Sequence, residues 1–182
     1  MTMIDAARRQ AEAAHRDQQR KGAAGAPYIG HVAEVARLVA AWGASEPVVA
    51  AAWLHDVVED CGVSLASLEA AYGAEVASLV AEVTDDKTLP KAERKRLQVV
   101  NAGHKSVGAA LIKLADKLSN VAEIGREPPM HWDEARMLAY VEWAETVVAG
   151  LPALPATGLQ QFREAAATTR AAIRRRGEAG RD

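Results

Sequence analysis

A chain of 182 residues, 49% of them hydrophobic and 25% charged, is long enough for one soluble domain with a real core. Its net charge of −2 gives no global basic field for nucleic acid, and its one cysteine, Cys61, excludes an intramolecular disulfide framework or a cysteine-rich zinc site. No apolar run approaches the roughly eighteen residues of a membrane span. The charged N-terminal stretch (Asp5, Arg8, Arg9, Glu12) lacks a signal-peptide core, so a cytoplasmic protein without membrane contact is expected.

No long stretch alternates apolar and polar residues, while alanine is frequent and Gly and Pro fall in clusters. The expectation is an all-α bundle of about eight to ten helices in one domain spanning 1–182. A first helix is predicted over 3–19, then a Gly/Ala-rich loop over 22–30 and a second helix over 31–42, stopped by Gly43. Ser45 is placed to cap a third helix that tolerates Pro47 in its first turn and runs to Cys61. Ser64 caps a short helix to Tyr72, and another follows over 74–83. Residues 84–89 form a polar loop, and Pro90 starts a helix to about Ala102. The next helix, 109–124, places Leu111, Leu114, Leu118 and Val121 on an apolar face and Lys113, Asp116, Lys117 and Asn120 on the opposite one. Further helices are expected over 133–149 and 158–175, with the core over about 6–151 and a frayed tail over 176–182.

The third helix carries the chemistry. An apolar run ends in Leu54-His55-Asp56-Val57-Val58-Glu59-Asp60. Four ionisable groups within six residues, flanked by aliphatics, are costly to bury unless something compensates them. A bound cation does so: it takes an imidazole and a carboxylate, and leaves Glu59 and Asp60 to handle protons. Among the five histidines, His31 follows a loop and opens a helix, a good place for a second ligand; His15, His104 and His131 lie in more polar surroundings. Asp116 is the best distant carboxylate. Mixed imidazole and carboxylate donors suit manganese, iron or zinc. Taken alone, the His55-Asp56 pair is more often structural, and the stripe from Lys113 to Asn120 more often a solvated face. The basic segment Lys87, Lys91, Arg94, Lys95, Arg96 is expected to be mainly a solvated helix face as well.

Taken together, the order His31, His55-Asp56, Asp116 resembles the HD-domain superfamily of metal-dependent phosphohydrolases. Arg20-Lys21, the stretch PYIGH at 27–31 and LHDVVED at 54–60 resemble the hydrolase domain of RelA/SpoT homologues. The segments VTDDKTLPKAERKRLQ at 83–98, KLADKLSN at 113–120 and YVEWAETVVAGL at 140–151 are similar to its small stand-alone members, the metazoan SpoT homologue type. That resemblance implies an all-α fold, bound Mn2+, and hydrolysis of the 3′-diphosphate of guanosine 3′,5′-bis(diphosphate) (ppGpp) or pppGpp to GDP or GTP plus pyrophosphate. It implies His31, His55, Asp56 and Asp116 as ligands and Glu59 and Asp60 as catalytic carboxylates. It also implies Arg20, Lys21, Tyr28, Lys113, Asn120, Arg136 and Tyr140 around the nucleotide. Ser119 stands where such proteins often carry a larger side chain, which implies a looser pocket wall. That leaves two other readings of the same residues: turnover of a nucleotide with another ribose phosphate such as NADPH, or a non-catalytic nucleotide-binding helical module. Oligomeric state is left open.

Overall fold

The computed structural model describes residues 2–22 and 24–179. Its described part is all-α: α1 (Met3–Ala14), α2 (Ile29–Ala41), α3 (Glu46–Leu54), α4 (Val57–Cys61), α5 (Leu65–Tyr72), α6 (Ala74–Val83), α7 (Lys91–Val100), a 3-10 turn at Ala102–His104, α8 (Val107–Arg126), α9 (Glu134–Gly150) and α10 (Ala156–Ala179). Helix starts follow local chemistry. The Thr2 hydroxyl accepts from the Asp5 amide and the Asp5 carboxylate accepts from the Thr2 amide, a reciprocal cap at 3.1 Å each. Ser64, Ser106 and Asp133 cap α5, α8 and α9 through their side chains.

The axis of the bundle is α8, which packs against α2, α3, α6, α9 and α10. Its 20 residues span about 30 Å. Ala109, Ile112, Leu114, Ala115, Leu118, Val121 and Ile124 are buried on it, but so are Lys113, Asp116, Lys117 and Ser119. The polar stripe, a solvated face only when taken alone, therefore points inward, because helices close over α8 from several sides. In contrast, α7 contributes no buried residue. No helix among the described residues is long and apolar enough to cross a membrane.

Three predicted boundaries shift. The first helix stops at Ala14, not Gln19, because the next residues pair with the chain ahead of α2. The Tyr28 amide donates to the Gln18 carbonyl at 2.9 Å, and the Arg20 amide to the Ala26 carbonyl at 2.8 Å. The helix expected to run unbroken to Cys61 divides at His55-Asp56. His55 Nδ1 lies 2.8 Å from the Ala52 carbonyl, an acceptor that a continuing helix would offer to the Asp56 amide. Gly62, at φ +71°, then terminates α4 in a backbone region that favours glycine. The last helix begins earlier and continues through Ala179, so 176–179 are helical and not frayed; residues 180–182 lie outside the described residues.

Candidate metal centre and adjoining nucleotide cavity

Three helices bring the metal candidates together. His31 sits in the first turn of α2, His55 and Asp56 at the break between α3 and α4, and Asp116 midway along α8. One donor atom from each of His31, His55 and Asp116 lies within 4.8 Å of the others. His31 Nε2 is 3.4 Å from Asp116 Oδ1 and 3.8 Å from Asp56 Oδ2, and His55 Nε2 is 3.0 Å from that same Asp56 oxygen.

The hydrogen bonds behind the imidazoles fix which nitrogen faces the pocket. A carbonyl only accepts, so His55 Nδ1 carries the proton it donates to Ala52. The Ser119 hydroxyl donates to Glu34 Oε2 at 2.6 Å, which leaves its lone pairs to accept from His31 Nδ1 at 2.9 Å. In the neutral form of each ring, the Nε2 atom is therefore the one that presents a lone pair to the pocket. Both Nε2 atoms are buried and make no hydrogen bond. Two buried nitrogens beside two carboxylates fit a cation, and nitrogen and oxygen donors of this mix suit a transition-metal dication. Burial opposes charge on His55, yet Asp56 and Asp116 favour its protonated form and push its pKa up to about 9, so a proton and a metal cation compete for its Nε2. Burial also opposes charge on Asp56 and Asp116, yet their neighbours hold both carboxyls below the usual range: His55 and His31 for Asp56, and Lys117, His31 and Lys113 for Asp116. The pocket favours positive charge at its centre.

Further bonds orient the carboxylates, as supporting partners do in metal sites. The Tyr28 hydroxyl donates to Asp56 Oδ2 at 2.6 Å. Lys117 and Asn120 donate to the two oxygens of Asp116 at 3.0 and 2.6 Å. Ser119 is fully buried behind His31, so it is a brace for a ligand and not the loose pocket wall expected from the sequence. His15, expected in polar surroundings, is buried too; its ring lies 5.2 Å from that of Tyr28 and its Nδ1 2.7 Å from Gln18 Oε1. His104 and His131 are exposed.

Glu59 and Asp60 follow on α4. Glu59 accepts from the Asp85 amide at 3.2 Å and faces Arg94 at 3.4 Å. Burial, with Asp85, Asp56 and Asp60 nearby, raises its pKa above the ordinary glutamate value although the Asp85 amide opposes this. Asp60 is ion-paired with Lys87.

Beside this pocket lies a cavity of about 300 Å³. Arg20, Lys21, Tyr28, Asn120, Arg136 and Tyr140 line it, as the sequence suggested; Lys113 does not, because its buried ammonium donates to the Val83 carbonyl at 3.2 Å. Asn120 joins the two regions, accepting from Arg20 at 3.2 Å while donating to Asp116. The sequence reading missed Lys91, Lys95 and Trp132 in the wall. Lys91 and Lys95 are four apart on α7, a spacing that could have marked one shared face; Trp132 lies in a connector with no such periodic signal. Of the basic segment expected in solvent, Lys87 and Arg94 hold the acidic pair and Lys91 and Lys95 face the cavity. Arg96 does sit on the surface, bonded to Glu93. Lys95 lies 4.5 Å from the Trp143 ring and 5.2 Å from that of Tyr140, and Arg136 stacks on Trp132 at 4.6 Å. Burial first, then mutual repulsion among Lys91, Lys95, Lys117 and Arg136, lowers the pKa of Lys95; burial, Arg136 and Lys21 do the same for Lys91. A cavity whose cations repel one another is shaped for a multiply charged anion.

Two imidazoles and Asp116 meet within 4.8 Å, Asp56 lies 3.0 Å from His55, and acidic residues and a cationic cleft lie alongside, an arrangement suited to an HD-type phosphohydrolase. The chain belongs to the HD-domain family, whose sequence profile matches residues 7–141. Within that family it is 52% identical over 139 residues to the Homo sapiens guanosine-3′,5′-bis(diphosphate) 3′-pyrophosphohydrolase MESH1, covering 75% of this chain and 78% of the relative. It is 47% identical, with the same coverage, to the Drosophila melanogaster protein of that name. A solved structure described as a metazoan orthologue of SpoT that hydrolyses ppGpp superposes with a TM-score of 0.87 at 40% identity, over 91% of this chain and 94% of the other.

Proposed function

We propose that this protein hydrolyses the 3′-diphosphate of ppGpp and pppGpp, with Mn2+ as its resident ion, and so degrades the alarmone of the stringent response. The observation that carries the proposal is the pair of buried, unbonded Nε2 atoms of His31 and His55, set against Asp56 and Asp116 at the mouth of a cationic, aromatic-walled cavity. His31, His55, Asp56 and Asp116 would hold the ion. When bound, it supplies a lowered pKa for water and polarisation of a phosphoryl oxygen.

The chain's own residues supply the rest. Trp132 and Tyr140 offer apolar faces for the nucleoside, and Arg20, Lys21, Lys91, Lys95 and Arg136 offer charge to the phosphates. Glu59, raised by burial and fixed by the Asp85 amide, accepts the proton of the attacking water. Water oxygen adds to the phosphorus on the ribose 3′ oxygen, that P–O bond breaks, and the proton passes to the 3′ oxygen as pyrophosphate leaves. Asp60, held by Lys87, is the second carboxylate beside this reaction.

The test is release of GDP and pyrophosphate from ppGpp by Mn2+-loaded protein, compared with phosphate release from NADPH. Metal-dependent pyrophosphate release at the higher kcat/KM is expected. Faster turnover of NADPH would replace the substrate, and no metal-dependent turnover of either would leave a binding module.

A further inference from the structure

The C-terminal helix lies beyond the matched family segment, and its arginines found no role in the sequence. One of them has a specific task. The last four carbonyls of an α-helix lack intrahelical donors. In α8 these belong to residues 123–126. The Glu127 amide takes the Glu123 carbonyl at 2.7 Å, but Glu127 has φ −142° and forms no left-handed cap. The other three are taken by one side chain: Arg176 donates from Nη1 to Ile124 at 3.3 Å, and from Nη2 to Gly125 at 2.9 Å and Arg126 at 3.1 Å. A planar guanidinium spans three carbonyls in a way that an ammonium does not match. The approach is close, since a Cβ on Gly125 would lie 2.6 Å from Thr169 Oγ1 of α10.

What leaves this helix end is the far wall of the cavity. Glu123, Ile124, Glu127, Pro129 and Trp132 all line it. The same stretch is laced to the loop that carries Arg20 and Lys21. Glu127 accepts from the Ala24 amide, the Met130 amide donates to the Lys21 carbonyl at 3.4 Å, and Gly22 bridges to Pro129. A Cβ on Gly22 would sit 2.8 Å from the Glu127 side chain, which would have to move away.

We infer that Arg176, which touches no residue of the metal centre, is a positioning residue for substrate binding: it caps α8 and thereby sets the wall that faces the nucleotide. The inference rests on the proposed hydrolase reading for its substrate, but not for its structural half.

The experiment compares Arg176→Ala, Arg176→Lys and Arg170→Ala in the full-length protein. Arg170→Ala breaks the ion pair of α10 with Glu145 and serves as a control for loosening the helix as such. Arg176→Ala should raise KM for ppGpp about tenfold with kcat and bound metal little changed, since hydrogen bonds from a charged donor are lost to the wall alone. Arg176→Lys should recover part of that loss, and Arg170→Ala should lower Tm without moving KM. Amide hydrogen exchange reads the wall directly: 124–132, 20–22 and 24 should exchange faster in Arg176→Ala, and 29–41 should not. If wild type proves inactive on ppGpp, the activity reading fails and exchange alone decides the positioning role. Unchanged exchange at 124–132, or equal KM effects in Arg176→Ala and Arg170→Ala, overturns the inference. Should Arg176→Ala not fold, Arg176→Lys carries the same exchange comparison.

Discussion

The metal pocket and the nucleotide cavity share Tyr28 and Asn120, yet they are built on opposite plans. In the pocket each donor is held by its own hydrogen bonds: His31 by Ser119, His55 by the Ala52 carbonyl, Asp56 by Tyr28, Asp116 by Lys117 and Asn120. The side chains come from helices or from the break between two of them; His31, His55 and Asp116 are buried and Asp56 nearly so. The cavity is assembled from a loop, two helix ends and the weakly buried α7; Arg20 pairs with Glu123 there, but Lys91, Lys95 and Arg136 repel one another. The pocket is organised before a cation arrives; the cavity is organised by charge that a substrate must neutralise. Substitutions in the first should act on metal and rate, and those in the second on KM.

The largest effect should come from removing a ligand. Asp116→Ala is expected to lose metal together with activity, by about three orders of magnitude or more, since both the ion and its Lewis acidity go. Metal analysis after gel filtration reads the first and pyrophosphate release the second. Full Mn2+ occupancy in both Asp116→Ala and Asp56→Ala would break the comparison at its root. Next in size, Glu59→Gln should keep its metal and lose roughly 10²- to 10⁴-fold in kcat, because an amide cannot accept the proton. The pH profile follows with a definite sign. Burial raises the Glu59 carboxyl, so wild-type kcat should fall on the acid side with a midpoint above the ordinary glutamate value. Activity falls as the pH drops because protonated Glu59 accepts nothing. That limb should vanish from the residual rate of Glu59→Gln, and its persistence would assign it to another group.

The same contrast decides what the sequence revealed. His55-Asp56 stood out because charge interrupts an apolar run, a local signal that survives folding. Asp116 was reachable through its spacing with Lys113 and Asn120. Ser119 was misjudged, since a small hydroxyl looks like missing bulk until Glu34 is seen behind it, eighty-five positions away. The cavity was legible only in part. Whether Lys91 and Lys95 face solvent or a cleft depends on where α7 lies, and no residue of α7 is buried to mark an inner face. Lys113 failed for another reason: sharing a stripe with Asp116 and Asn120, it was expected at the nucleotide, but its ammonium turns to α6, where the Val83 carbonyl takes it. The break at His55 was hidden because it rests on a side-chain bond to the backbone, which competes with the helix on nearly equal terms.

Ser119→Ala sharpens the comparison from within the pocket. It leaves every ligand in place but removes the acceptor that fixes the His31 tautomer and passes on the charge of Glu34. Mn2+ affinity, measured by titration calorimetry on metal-free protein, should weaken by about 10- to 100-fold. The kcat at saturating metal should change much less. An unchanged affinity would mean that burial alone orients His31.

The smallest effect belongs to the cavity, and it separates binding from stability. Lys95 is half-buried, repelled by Lys91, Lys117 and Arg136, and packed on Trp143 and Tyr140. Its pKa is lowered, so folding disfavours the charged ammonium and the free protein is less stable for carrying it; that cost is largest below the folded pKa and fades as pH rises through it. Lys95→Met keeps the apolar stem over the rings and removes the charge. KM for ppGpp should rise by about tenfold or less, as the loss of one partly screened phosphate contact requires. Metal content should stay the same, and Tm should rise slightly at neutral pH. The salt dependence of KM should also flatten, because one cation fewer is available to be screened. A fall in Tm with an unchanged KM would show that Lys95 serves packing, and the cavity would then owe its affinity to its aromatic walls and its remaining cations.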